Sequence, residues 1–283
     1  MLLTVGYVVV IWVIGNAIKD ECEQIGVYFE IRTIDNINQL TRADIASSGS
    51  YLFTYDSYGN IKQIKKGIFT TSGWSMDTEI YDLTYGVTSG IQDKVTKVVK
   101  SEYKALTGKM EITSTENYTY DNIGNPLTAG NKNFVWYGGR NLMQLTDTNL
   151  NVNYDYNNGG TRISKGVNGV RTDFYYGNGV LQAQKTGNEV IYFNYDGNGS
   201  IIGFTYQNVN YYYNKNLQGD VVSIVDSSNT TLVNYTYSAY GKVTSVTGSR
   251  ANTLGKINPI RYRGYYYDEE SGYYYLQSRY YNP

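Results

Sequence analysis

The chain has 283 residues, with 24 basic and 25 acidic side chains and a formal net charge of −1. This balance provides no basic face, so the composition argues against nucleic acid and anionic membranes as partners. The sequence contains no histidine, which excludes Ser-His and Cys-His catalysis and histidine ligation of metals. The single cysteine, Cys22, cannot form an internal disulfide and is expected to be a small buried residue.

The chain begins with an apolar stretch, Leu2 to Ile14, that contains no charged residue. The stretch is too short to span a membrane as a helix, so no transmembrane segment is predicted. A signal peptide typically carries a positive charge shortly after its first residue, and none follows Met1 here. We therefore expect a buried strand within an atypical N-terminal segment, 1–33, with a truncated repeat or a signal-like segment as the alternatives.

A short phrase then recurs along the chain: an aromatic pair, then Asp or Asn, then glycine. Clear copies are Phe53–Asn60, Tyr118–Asn125 and Phe193–Gly199, and Ile34–Thr41 is a weaker copy. A spacing of about 20 residues between phrases indicates an array of small units that bury a face only against their neighbours. The last aromatic residues of the phrases are Tyr55, Tyr120, Tyr137, Tyr156, Tyr176, Tyr195, Tyr213 and Tyr237.

In the second half of the chain, each unit carries two short strands and two turns. Asn168-Gly169, Gly177–Gly179 and Asp196–Gly199 mark turns, because Asn and Gly tolerate the positive φ that tight hairpin turns require. The intervening strands, such as Arg171–Tyr176 and Val190–Tyr195, are rich in tyrosine. Tyrosine suits a half-exposed sheet, since its ring packs while its hydroxyl reaches water or a backbone group.

These patterns predict an all-β fold in which repeated antiparallel β-hairpins form a twisted sheet or partial β-shell. The expected exception is Gln92–Lys109, which has few Asn-Gly turns and could hold a short helix. No Pro- or Ser-rich linker interrupts the repeats. Residues 34–257 are therefore predicted to form one continuous array.

Two downstream segments make the repeat pattern specific. Tyr211–Val221 reads YYYNKNLQGDV, and Asn258–Pro283 reads NPIRYRGYYYDEESGYYYLQSRYYNP. With the repeats, they resemble the tyrosine–aspartate (YD) repeats and the C-terminal core motif of the Rhs family, which includes bacterial polymorphic toxins and wall-associated proteins. The resemblance covers roughly 34–283 and identifies 258–283 as the core motif.

The resemblance implies a β-shell that encloses a C-terminal toxin or effector, with an aspartyl self-cleavage after the core motif. Asp268 matches the position of one aspartate of that cleavage, whereas its partner would lie after Pro283. One carboxylate cannot share and split a proton as a carboxylate pair does. Self-cleavage by this chain alone is therefore not expected, and no residue is assigned as catalytic.

Asp268, Glu269 and Glu270 lie between aromatic strands, and the first interpretation is an exposed hairpin turn. The alternative is a remnant of the processing site, in which Arg261 or Arg263 holds Asp268 ionised. Either arginine could equally be a cross-strand partner.

No metal or cofactor site is predicted. Asp196–Gln207 begins like a calcium loop, but Ile201 stands in place of the required glycine and Gln207 in place of the bidentate glutamate. Gly177–Gly179 lacks the third glycine of a phosphate-binding loop.

The predicted function is a non-catalytic structural segment of an Rhs-type toxin or wall-associated protein. The expected location is secreted or at the bacterial cell surface or wall, which is compatible with cytoplasmic storage before export. The expected partner is a C-terminal toxin or effector domain, or the remaining part of the shell.

The alternative function is a carbohydrate- or cell-wall-binding module in which exposed tyrosines stack on glycans. Repeats of about 20 residues that bind cell walls have a similar period, but most of them carry a Gly-Trp pair. This sequence has one such pair, Gly73-Trp74. Packing of tyrosines across strands is therefore the preferred interpretation.

Overall fold

The computed structural model describes residues 30–45, 49–70, 72–88 and 91–283. Cys22 and the stretch from Leu2 to Ile14 lie outside the described residues. The described chain confirms an all-β fold built from antiparallel hairpins, with little helix. It divides into two compact units, unit 1 ending at Thr119 and unit 2 beginning at Tyr120.

Unit 1 is an antiparallel sheet in which each strand pairs with the next along the chain. Its strands are β1 (Glu30–Ile34), β2 (Leu40–Ile45), β3 (Gly49–Tyr55), β4 (Ile61–Thr70), β5 (Gly73–Thr88), β6 (Ile91–Lys104) and β7 (Lys109–Tyr120).

Unit 2 continues the same up-and-down order through thirteen strands. They are β8 (Pro126–Ala129), β9 (Lys132–Tyr137), β10 (Asn141–Asp147), β11 (Leu150–Tyr156), β12 (Arg162–Val167), β13 (Val170–Gly177), β14 (Val180–Thr186), β15 (Glu189–Tyr195), β16 (Ile201–Tyr206), β17 (Val209–Lys215), β18 (Val221–Val225), β19 (Thr231–Tyr237) and β20 (Val243–Thr247). A one-turn helix (Leu254–Ile257), a 3-10 turn (Tyr262–Gly264) and a small sheet of β21 (Tyr266–Asp268), β22 (Tyr273–Tyr275) and β23 (Tyr280–Tyr281) come after β20.

The prediction of a short helix over Gln92–Lys109 is wrong. This stretch lies in β6, in the turn that follows it and at the start of β7. Val95, Val98 and Val99 are β-branched and favour a strand. Lys100 also bonds Glu79 on the neighbouring strand at 3.1 Å, so the sheet provides partners that an isolated helix would lack.

In the described part of the chain, seven loops between neighbouring strands have the same hydrogen-bonded form, which explains why an Asp or Asn follows many of the phrases. In the loop from Asp196 to Ser200, one carboxylate oxygen accepts the backbone N–H groups of Asn198 at 2.9 Å and Ser200 at 2.8 Å. The fourth residue, Gly199, has a φ of +80°, which glycine adopts without strain. The residues that accept in this way are Asp35, Asp56, Asp121, Asn157, Asp196, Asn216 and Asp226.

The tyrosine before the loop stabilises the preceding hairpin. The hydroxyls of Tyr55, Tyr195 and Tyr237 donate to backbone carbonyl oxygens 14 to 16 residues earlier in the chain, at 2.6 to 2.7 Å. Each hydroxyl therefore bonds a backbone group of the preceding hairpin, while its ring stays on the packed face. Phenylalanine could supply the ring contact but not this bond.

A second kind of turn, between the two strands of a repeat, has two residues, as the sequence predicts. At Asn168-Gly169 both residues have positive φ, 49° and 90°, which is the conformation of a type I′ hairpin turn. The strands predicted at Arg171–Tyr176 and Val190–Tyr195 are confirmed by β13 and β15.

We expect Asp196→Ala to lower the free energy of unfolding by about 1 kcal/mol, because two backbone N–H groups lose their acceptor. Asp196→Asn should preserve stability, since Asn157 and Asn216 accept the same bonds in their own loops. Urea unfolding of the two variants measures the difference. Equal stability of the Ala and Asn variants would show that the loop does not depend on this acceptor.

Candidate functional site

The C-terminal segment, defined as residues 258–283, packs on one face of the sheet of unit 2. Tyr213 donates to Asn258 at 2.6 Å, Tyr266 donates to Gln184 at 2.8 Å, and Tyr274 donates to the carbonyl of residue 241 at 2.9 Å. Strands far apart in sequence therefore hold the segment. The small β21–β23 sheet forms a second layer over this face.

A group of four charged side chains, here called the charge cluster, joins β12 to the C-terminal segment. It consists of Arg162, Lys165, Asp268 and Glu270. The guanidinium of Arg162 donates to both carboxylate oxygens of Asp268, at 2.5 and 3.1 Å. Lys165 Nζ lies 2.9 Å from Asp268 Oδ1 and 2.9 Å from both carboxylate oxygens of Glu270.

The charge cluster is almost completely removed from solvent. The side chains of Arg162 and Asp268 are 1% and 0% exposed, and that of Lys165 is 9% exposed. Two cations and two anions balance the charge, as burial requires. Aromatic rings surround the guanidinium carbon of Arg162, the nearest being Tyr275 at 4.1 Å and Phe174 at 4.9 Å from the ring centres.

Burial and ion pairing act in opposite directions on these groups. Burial alone would raise the pKa of Asp268, but the attraction and hydrogen bonds of Arg162 and Lys165 lower the pKa below its ordinary value. Burial alone would lower the pKa of Lys165, but Asp268 and other neighbours raise it. Burial also raises the pKa of Tyr266 to about 12. Asp268 and Lys165 therefore stay ionised at neutral pH.

The expectation that Asp268 lies in an exposed turn is wrong, and the expected arginines do not supply its partners. Asp268 ends β21 and is fully buried, whereas Glu269 in the turn after it is exposed. Arg261 is buried but pairs with Glu269 at 2.5 Å. Arg263 has a φ of +52°, and its backbone N–H donates to Asp220 at 2.8 Å. The cations on Asp268 come from β12 instead.

Arg162 and Lys165 were not predicted as site residues, although the repeats contain a signal for Arg162. Arg162 is the first residue of a strand that follows an Asp or Asn loop. After five of the other six Asp or Asn loops in the described chain this residue is apolar, so a buried arginine at this place requires a partner. The apolar residues are Leu40, Ile61, Pro126, Ile201 and Val221, whereas Thr231 follows the Asp226 loop.

The chemistry available to the charge cluster is limited by its pairing. Asp268 is held as a carboxylate by two cations, so it is a poor proton donor and, with its lowered pKa, a weak base. Among the described residues, no group of three or more Cys, Asp or Glu side chains is placed to hold a metal ion. No helix within the described ranges is long and apolar enough to cross a membrane.

Comparison with known proteins concerns the sequence and the fold of the whole chain. No family model matches the chain. The tRNA3(Ser)-specific nuclease WapA of Bacillus spizizenii is 31% identical over 254 residues, which cover 87% of this chain and 10% of that protein. The tRNA nuclease WapA of Bacillus subtilis strain 168 is 30% identical over 254 residues, with the same coverage. The chain spans about a tenth of the length of these curated relatives.

Solved structures show the same fold. A crystal structure of TcdB2, TccC3 and Cdc42 matches 91% of this chain and 15% of that chain, with a TM-score of 0.57 and 16% identity. A crystal structure of TcdB2 and TccC3 matches with a TM-score of 0.54 and 15% identity, and covers 91% of this chain and 16% of that chain. At such identities the likeness concerns the fold alone. Together with the sequence relatives, it supports the resemblance to Rhs repeat toxins of bacteria at a coarse level.

We expect Asp268→Asn to lower the free energy of unfolding by about 3 to 5 kcal/mol, because Arg162 and Lys165 would remain buried without their full counter-charge. Asp173→Asn is a suitable control, since Asp173 pairs with Arg171 at the surface, where the two side chains are 39% and 58% exposed. Chemical denaturation of the three chains measures the difference. A loss for Asp268→Asn no larger than that of the control would contradict the assigned pairing.

The difference in unfolding free energy between the wild type and Asp268→Asn should depend on pH in a defined way. A group whose pKa is lowered by folding contributes its full stability above its unfolded pKa, about 4, and loses it as the pH falls through the folded pKa. The difference between the wild type and Asp268→Asn should therefore stay constant from about pH 5 to 8 and shrink below about pH 4. A difference that shrinks already at pH 6 would contradict an ionised, paired Asp268.

Proposed function

We propose that this chain is a non-catalytic structural segment of an Rhs-type toxin, whose β-sheet encloses or presents an effector attached on its C-terminal side. The observation that carries the proposal is the covered face of unit 2. Residues of β12, β14 and β17 all bond the C-terminal segment across that face. A sheet that binds the chain's own C-terminal part on one face has the geometry of a wall with an inner side.

The position of the last strand supports enclosure of an effector attached beyond it. The hydroxyl of Tyr280 lies 2.9 Å from the hydroxyl of Tyr156, and the hydroxyl of Tyr281 donates to the carbonyl of Tyr240 at 2.6 Å. The chain therefore leaves β23 next to the covered face. The partner would be a C-terminal effector or the remaining part of the shell, and the location would be secreted or at the cell surface.

The nuclease activity named for the WapA proteins belongs to relatives about ten times longer than this chain. We assign no catalysis to the present segment. The absence of histidine in the sequence and the fully paired state of Asp268 support this assignment. Purified chain should leave tRNA intact, and tRNA cleavage that Asp268→Asn or Lys165→Met abolishes would refute a purely structural role.

A protease-sensitive tag tests enclosure directly. We expect a disordered tag fused after Pro283 to be cleaved about tenfold more slowly than the same tag inserted between Ala105 and Leu106, because local shielding slows access. Leu106 is fully exposed at the tip of the β6–β7 hairpin, so this insertion is the matched control. Gel densitometry over a time course gives both rates. Equal rates would contradict enclosure by this chain.

Glycan binding is the alternative function, and one outward-facing row favours it. Tyr175 opposes Ala183, which in turn opposes Tyr192, so the three lie on the same side of the sheet. The two tyrosines are 49% and 56% exposed, and the alanine between them is buried. Saturable retention on purified peptidoglycan, lost in Tyr175→Ala and Tyr192→Ala, would favour this alternative over a purely structural segment.

A further inference from the structure

A cavity of about 490 Å³ lies between strands β13–β16 and the C-terminal segment, beside the charge cluster. Pockets that bind small molecules usually have volumes of roughly 300 to 1,000 Å³ and mostly apolar walls with a few polar groups. Phe174, Leu181 and Ile201 line the sheet side, and Tyr265 and Leu276 line the opposite side. The walls therefore suit an aromatic or aliphatic body.

The charged side chains that line the cavity are all positive. Its lining includes Arg162 and Arg279 but no Asp or Glu. Arg162 is neutralised from behind by Asp268. Arg279 is exposed, and no ion pair of its side chain is found among the described residues. A negative group at the mouth of the cavity would therefore meet an uncompensated guanidinium.

A short loop, Leu276–Arg279, holds Arg279 at the edge of the cavity. The backbone N–H of Leu276 donates to the carbonyl of Arg279 at 2.9 Å, and that of Ser278 donates to the carbonyl of Leu276 at 2.8 Å. Gln277 has a φ of +62°, a conformation that costs energy for a residue with a side chain. These bonds preserve a specific loop shape over the cavity.

We propose that this cavity binds a small amphipathic anion. Its apolar or aromatic body packs against Phe174, Leu181 and Ile201, and its carboxylate or sulfonate group pairs with Arg279. The binding site is separate from the structural function proposed above and does not depend on an enclosed effector.

Fluorescence titration of the full chain with 1-anilinonaphthalene-8-sulfonate, an aromatic sulfonate, tests the proposal. We expect one saturable site per chain. Arg279→Gln should raise the Kd roughly tenfold, because one charge-assisted contact is lost. Arg250→Gln removes another exposed arginine, which lies outside the cavity lining, and should leave the Kd unchanged.

Two further measurements separate the cavity from non-specific apolar surface. Val180 lines the cavity and is 37% exposed, so Val180→Trp should fill the cavity entrance and abolish binding while the thermal melting curve is retained. Decanoate should displace the probe, and uncharged decanol should displace it at least several-fold less well. Unsaturable binding, equal effects of Arg279→Gln and Arg250→Gln, or full binding by a folded Val180→Trp chain would each overturn the proposal.

Discussion

The ion pair between Asp268 and Arg162 is the constraint on which the rest of unit 2 depends. Both side chains are buried, and 106 residues separate them in sequence. Removing charges from water costs more than a simple pair usually returns, so such a pair contributes more to specificity than to net stability. The charges are satisfied only when β21 lies at one position over β12. Any slip of the C-terminal segment would leave two cations without their acceptors.

The repeats supply the rigid face that this pairing needs. In seven loops of the described chain, one Asp or Asn side chain satisfies the backbone of its own loop. Before two of these loops, Tyr55 and Tyr195 also bond the preceding hairpin, as Tyr195 bonds the carbonyl of Leu181. Each repeat is therefore stabilised by the repeats next to it along the chain, as in other repeat proteins. The face of unit 2 that the C-terminal segment covers can then concentrate aromatic rings, with Phe193, Phe204 and Tyr235 nearly free of solvent contact.

Local features of the fold could be predicted because they depend on neighbouring residues. The loop at Asp196–Gly199 and the strand Val190–Tyr195 follow from turn chemistry and alternation, and both are confirmed. Gln92–Lys109 was mispredicted because its turns are sparse, and pairing with β5 decides its conformation. The partners of Asp268 could not be predicted from nearby residues, because the nearby arginines bond elsewhere. The available signal was Arg162 itself, at a repeat position that is apolar after most of the other Asp or Asn loops.

Hydrogen–deuterium exchange of the native chain tests the central claim most directly, namely that the charge cluster holds the C-terminal segment on the repeats. We expect the amides of β21 and β22 to be protected as strongly as those of β15 and β16, exchanging only when unit 2 unfolds as a whole. Exchange of β21 and β22 within seconds, at the rate of the exposed hairpin tip at 105–108, would contradict a segment fixed by Arg162 and Asp268.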